Sequence, residues 1–280
     1  MLPDTPAKKA PSNLQLRVLT GIVGILAIVG AVVASRYGYL VVFTGISLLC
    51  QWEFYGLLRR AGYAPERPLG MVLGLGLNIA GWLAAQGIDQ VALLLAMVMP
   101  ITLTYLAKLY RTETTPFVNI ALTFFGVLYT AVPFALLHPA VFVAGQYAWQ
   151  IPLGILLLLW ASDTGAYFAG RSLGRRKLFE RVSPKKTWEG FAGGFTASAA
   201  VSAVLAYQFT SLAPAIWVWV MVIIVVLGTF GDLTESLFKR SLDLKDSGSI
   251  LPGHGGFLDR FDGLLIALPV VAALLLLWHA

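Results

Sequence analysis

Four aspartates in the second half of the chain, Asp163, Asp232, Asp259 and Asp262, stand inside or directly against long apolar runs. A carboxylate inside a membrane-length run costs on the order of 2.5 to 3.5 kcal/mol, so it faces a cavity, a functional partner, or an internal salt bridge or helix–helix hydrogen bond. If the run beginning at Pro214 continues as a helix, Asp232, Glu235, Ser236 and Lys239 fall at i, i+3, i+4 and i+7 and share one face. Asp259 and Asp262, at i and i+3, share a face at the start of the last run, where the helix dipole favours negative charge. A capping role accounts for one of them, but not for both together with Asp232. Several acids beside one cysteine and three histidines form the ligand set of a hard cation such as Mg²⁺ and disfavour zinc. Lys185, Lys186, Lys239, Arg240, Lys245 and Arg260 bring more positive charge than these acids need. A divalent ion with converging cations is the common arrangement for phosphoryl or nucleotidyl transfer, where alignment and charge neutralisation do most of the catalysis. The glycines of Leu251-Pro-Gly-His-Gly-Gly256 permit the close backbone approach a phosphate cradle needs. His254 reads equally as a phosphate contact or a turn cap, and His138 and His279 as non-catalytic interface residues.

The elements that must position these residues are membrane spans. The 280 residues are 58% hydrophobic and 12% charged, an apolar excess that one water-soluble core could not hide. An all-α, polytopic fold follows, with about nine spans near 16–34, 38–58, 68–86, 88–107, 116–137, 148–170, 188–210, 214–231 and 263–279. Lys and Arg decide the orientation: 19 of the 20 fall on alternate segments, counting from the N-terminal tail. The N-terminus and the loops at 171–187 and 232–262 are therefore expected in the cytoplasm, and the net charge of +6 marks topology, not a nucleic-acid partner. Arg171, Arg175, Arg176 and Arg181 read as loop anchors. With that orientation a helix from Pro214 brings Asp232 roughly 27 Å across, to the inner surface. Asp163 lies just below that surface, and Asp259 and Asp262 open the last span from the same side. The expected organisation is a polar cytoplasmic tail at 1–15, scaffold helices over 16–147 and a catalytic region over 148–280. No cleavable signal is evident. In the scaffold, Cys50 reads as a packing residue. Gly70, Gly74, Gly76 and Gly81 suit close helix packing, within the chain or across a homodimer contact. Glu53, an acid in an apolar span, asks for a reason, of which a place at the cytoplasmic end beside Arg59 and Arg60 is the simplest.

The segment SLFKRSLDLKDSGSILPGHGGFLDRFD, Ser236 to Asp262, resembles the signature of the phosphatidate cytidylyltransferase (CDP-diacylglycerol synthase) family. It joins a Ser, a Lys-Arg pair, a Lys-Asp pair, His-Gly-Gly and Asp-Arg-x-Asp at fixed spacing. SDTGAY at 162–167, SPKKTWEG at 183–190 and GDLTES at 231–236 are similar to the same family. The resemblance implies transfer of CMP from CTP to phosphatidate with Mg²⁺ required and K⁺ as a candidate second ion. It further implies Asp232, Asp259 and Asp262 as metal ligands and, with Lys239 and Arg240, as catalytic residues. Substrate binding then falls to Asp163, Lys185, Lys186, Thr187, Glu189, Glu235, Ser236, Lys245, Asp246, His254, Gly255, Gly256 and Arg260. The expected partners are CTP, phosphatidate and membrane lipid, in the plasma membrane if the source is bacterial.

Three other readings use similar residues. A transporter would show paired halves with broken helices, and its polar residues would cross the midplane; here they crowd one face. A CDP-alcohol phosphotransferase would continue beyond Asp262-Gly263 with a further acidic motif, which is absent. A CTP-dependent enzyme acting on another lipid acceptor would use the same metal and triphosphate groups.

Overall fold

The computed structural model describes residues 13–88, 90–110, 112–248 and 255–279. These form helices α1 (Asn13–Ala34), α2 (Arg36–Arg60), α3 (Arg67–Ala84), α4 (Gln90–Leu109), α5 (Pro116–Ala140), α6 (Gln150–Leu173), α7 (Trp188–Gln208), α8 (Pro214–Ser241) and α9 (Leu258–His279). Every expected span falls on one of them. Among the described residues, however, six helices are long and apolar enough to cross a membrane: α2, α5, α6, α7, α8 and α9. α3 carries Arg67, Asn78 and four glycines in its 18 residues, which dilutes its apolar character, and α1 and α4 are described only in part.

Local sequence explains most helix boundaries. Pro68, Pro116 and Pro214 stand in the first turn, where a missing N–H costs nothing. Ser35 caps α2 by accepting from the Gly38 N–H at 2.9 Å. Within α5 a π-helical turn at Val127–Ala131 interrupts the regular ladder, and the Thr130 carbonyl there accepts from Ser47 Oγ at 3.2 Å. Two short antiparallel hairpins, which hydropathy alone did not foretell, join helices: β1 (Phe142–Val143) with β2 (Gln146–Tyr147), and β3 (Lys177–Phe179) with β4 (Ser183–Thr187).

The helices pack with α6 along α7 and α8 along α9, while α9 also lies against α5 and α2. One continuous core runs through them, from Tyr39, Phe43 and Phe54 of α2 through Phe134 of α5 to Trp217 of α8 and Leu268 of α9. Cys50 is fully buried within it, as a packing residue should be. His138 differs from expectation. It is not an interface residue but is wholly buried, with ring nitrogens 3.1 Å from the Tyr39 hydroxyl and 3.0 Å from Asn78 Oδ1, so that it ties α5 to α2 and α3.

The crossing of α8 and α9 matters most for the site. A Cβ on Gly231 would lie 2.7 Å from the Asp262 carbonyl oxygen and 2.9 Å from Gly263 Cα, so the two backbones touch there. Each glycine is the sequence neighbour of an acid, Gly231 of Asp232 and Gly263 of Asp262. Close approach of the helices therefore brings the acids together.

Candidate active site

Down α8, the four polar residues expected on one face divide between two neighbourhoods. Ser236 Oγ donates to Asp232 Oδ1 at 3.4 Å, and Asp232 Oδ2 stands 2.7 Å from Lys186 Nζ at the end of β4. One turn further, Lys239 Nζ bridges Glu235 of its own helix and Asp259 Oδ1 of α9, the latter at 2.6 Å. Exposure separates the two groups. The Glu235 side chain is 1% exposed and that of Lys239 12%, whereas Lys186 and Asp232 are 26% and 41% exposed.

Around the open pair, acids from three helices converge. Asp163 of α6 has Asp232, Lys186 and Arg260 as its charged neighbours. Asp262 has Asp232, Glu235 and Lys186, and its Oδ1 accepts from the Gly263 N–H at 2.7 Å. Mutual repulsion of three carboxylates served by few cations makes this face attractive to a further positive charge. Asp259 stands apart. Its Oδ2 accepts from the N–H groups of Ser247 and Gly256, both at 3.3 Å, and its Oδ1 is held by Lys239.

The remaining expected site residues occupy the rim. Thr187 caps α7, accepting from the Gly190 N–H at 3.1 Å. The Glu189 carboxylate accepts from the N–H groups of Arg175 and Arg176 at 3.0 and 3.1 Å, bracing the strand hairpin. Lys185, Lys245, Asp246 and Arg260 are exposed. Arg240 is also exposed and donates to the Leu244 carbonyl at 3.3 Å. Gly255 adopts φ +85°, a conformation glycine takes without strain, and Gly256 supplies the N–H held by Asp259. His254, with Leu251, Pro252 and Gly253, lies outside the described residues, as does the side chain of His279. Glu53, Arg60 and Ser247 belong to this neighbourhood and were not among the expected site residues. The one signal for them was the carboxylate placed in an apolar span.

Residues 15–278 match the Cytidylyltransferase family. The chain belongs to that family. It is 29% identical to a phosphatidate cytidylyltransferase of Bacillus subtilis over 95% of this chain and 99% of that protein. It is 32% identical to one from Staphylococcus epidermidis over 94% of this chain and 99% of that protein. A Pseudomonas aeruginosa protein of the same name is 43% identical over 46% of this chain and 47% of its own length. A cytidylyltransferase handles a nucleoside triphosphate, whose usual companion is Mg²⁺. Among the described residues no three Asp, Glu, His or Cys side chains gather closely enough to form a metal cage. Mg²⁺ does not ask for one, since one or two carboxylates with substrate phosphates and water complete its octahedron. Asp232 and Asp262 fit that requirement, while Asp259 is already engaged. The expected metal triad is thus divided between two neighbourhoods.

Proposed function

We propose that this membrane enzyme transfers CMP from CTP to phosphatidate, releasing diphosphate and forming CDP-diacylglycerol. The observation that carries the reading is the full-length similarity to proteins named phosphatidate cytidylyltransferase. The convergence of Asp163, Asp232 and Asp262 beside Lys186 supports that cluster as its site. In this reading Asp232 and Asp262 would hold Mg²⁺, with K⁺ as the candidate second ion, and the chemistry supplied there would be neutralisation of triphosphate charge. Lys186 is the mobile cation: paired in the open with Asp232, it exchanges that partner for a phosphate oxygen. A phosphatidate oxygen forms a bond to the α-phosphorus of CTP in line with the α–β bridging bond, which breaks as diphosphate leaves. The N-terminus and the loops at 171–187 and 232–262 face the cytoplasm, where CTP arrives. The lipid phosphate lies at the same membrane surface.

The test is diphosphate release by purified protein with CTP, phosphatidate and Mg²⁺, omitting each in turn, beside Asp262→Asn. We expect a requirement for all three and a fall of about 100-fold or more in the variant. Release that proceeds with a lipid alcohol in place of phosphatidate would assign a different acceptor. No release from folded protein under any of these conditions would reject the reaction.

A further inference from the structure

Glu53 belongs to α2, in the half of the chain that lacks the signature motifs, yet it is 4% exposed and reaches the site. Its Oε2 accepts from the Leu258 N–H at 2.9 Å and from Ser247 Oγ at 3.2 Å. Leu258 is the first residue of α9, so the carboxylate caps a helix 205 residues away in sequence, where an unpaired N–H and the positive end of the dipole both favour an anion. Seven positions along α2, Arg60 donates to the carbonyls of Asp246 and Ser247 at 3.2 and 2.5 Å. One helix thus holds the segment at two points. The fit is close: a Cβ on Gly248 would strike Glu53 Oε1, and one on Gly256 would strike both Glu53 Oε2 and Ser247 Oγ. The second oxygen, Oε1, is buried and accepts no hydrogen bond from the described residues. Ser247, gripped by α2 on one side, gives its own N–H to Asp259 on the other.

We infer that Glu53 is a positioning residue for the reaction, a buried carboxylate that ties Ser247 to Leu258 at the start of α9 and so sets where Asp259 and Asp262 stand. The inference rests on the assignment of the Asp232 and Asp262 cluster as the active site. Glu53 touches no reacting atom. Its effect passes through the Leu258 N–H, one residue from Asp259 and one helical turn from Asp262, and through Ser247, whose N–H Asp259 accepts. Asp259, on the other side of Ser247, is taken up by Lys239 and two backbone N–H groups, so it cannot replace Glu53.

Full-length Glu53→Ala, Glu53→Gln and Asp262→Asn are compared by diphosphate release and by hydrogen–deuterium exchange of the segment 246–262. Loss of the two hydrogen bonds in Glu53→Ala lowers kcat by about 10- to 100-fold and speeds exchange at Gly256 to Leu258. Glu53→Gln keeps a neutral acceptor of the same shape and recovers to within about threefold of the unchanged protein. If Glu53→Ala fails to fold, Glu53→Gln and Ser247→Ala carry the test, each exchanging faster over 246–258 with an intermediate kcat. Unchanged exchange and turnover in Glu53→Ala, or in both of those substitutes, overturns the inference, as does a Gln variant no better than Ala. Full activity in Asp262→Asn overturns the active-site assignment, and with it the catalytic part of the inference, whatever Glu53→Ala does to exchange.

Discussion

Lys186 and Lys239 are both lysines of the signature motifs, and the difference in their surroundings predicts opposite behaviour. Lys239 lies between buried Glu235 and Asp259. Removing its charge leaves an uncompensated carboxylate indoors, which costs about 3–5 kcal/mol for a buried pair. Lys239→Met should therefore lower the unfolding midpoint, and Glu235→Gln/Lys239→Met should regain part of the loss in a double-mutant cycle. Lys186 and Asp232 form a half-exposed pair, of a kind worth about 0–1 kcal/mol. Lys186→Met should leave the midpoint nearly unchanged while reducing kcat/KM for CTP by about 10-fold or more, the loss of a charge-assisted phosphate contact. Steady-state kinetics beside thermal unfolding in detergent checks both. A Lys186 variant that loses stability but keeps its kcat/KM would place that residue in the framework instead.

Between helices, the contact that gathers the acids has an experimental handle. A Cβ at Gly231 meets backbone of α9 at 2.7 and 2.9 Å, whereas one at Gly228, a turn away on the same helix, finds its nearest neighbour at 3.9 Å. Gly231→Ala must push α8 and α9 apart, at a cost of about 1–3 kcal/mol for overpacking, and should depress activity with it. Gly228→Ala should be tolerated in both respects. Equal effects of the two on midpoint and turnover would show that the crossing does not set the site. The helices themselves were readable from apolar run length, and the motifs at 183–190 and 231–236 were readable as motifs. The pairing of Gly231 with Gly263 was not, because a glycine in a transmembrane helix looks the same whether or not another backbone lies against it. The hairpin braced by Glu189 was equally hidden: its hydrogen bonds run from backbone groups, which carry no sequence mark.

For the molecule as a whole, orientation is the outstanding proposal and is open to direct measurement. The native Cys50 is buried and gives little background. With Lys245→Cys and Thr210→Cys placed at exposed positions beyond opposite ends of α8, a membrane-impermeant maleimide should label the first only from the cytoplasmic side and the second only from the other. The reverse pattern would invert the topology and move the site away from CTP. The same view of the chain alters the role of its first half. Residues 16–147 read as scaffold because they lack the motifs, but Glu53 and Arg60 of α2 hold Asp246, Ser247 and the first residue of α9, Leu258. That role was out of sight because the partners are 186 to 205 residues away, and neither carries a pattern until the helices are packed.

What the sequence determined by itself was set by local chemistry. Apolar run length marked this as a helical membrane protein, and fixed spacing in Ser236 to Asp262 pointed to its family. Carboxylates in apolar runs, beside more lysine and arginine than they need, raised the expectation of phosphate groups handled with a hard cation. What only the tertiary structure decided is which charge answers which: that Lys239 neutralises Glu235 and Asp259, that Lys186 remains in the open with Asp232, and that Asp259 stands apart from Asp262. The reason is one of range. Charge pairing acts over a few ångströms in space and is settled by the glycine contacts that bring helices together, whereas a motif records only distance along the chain.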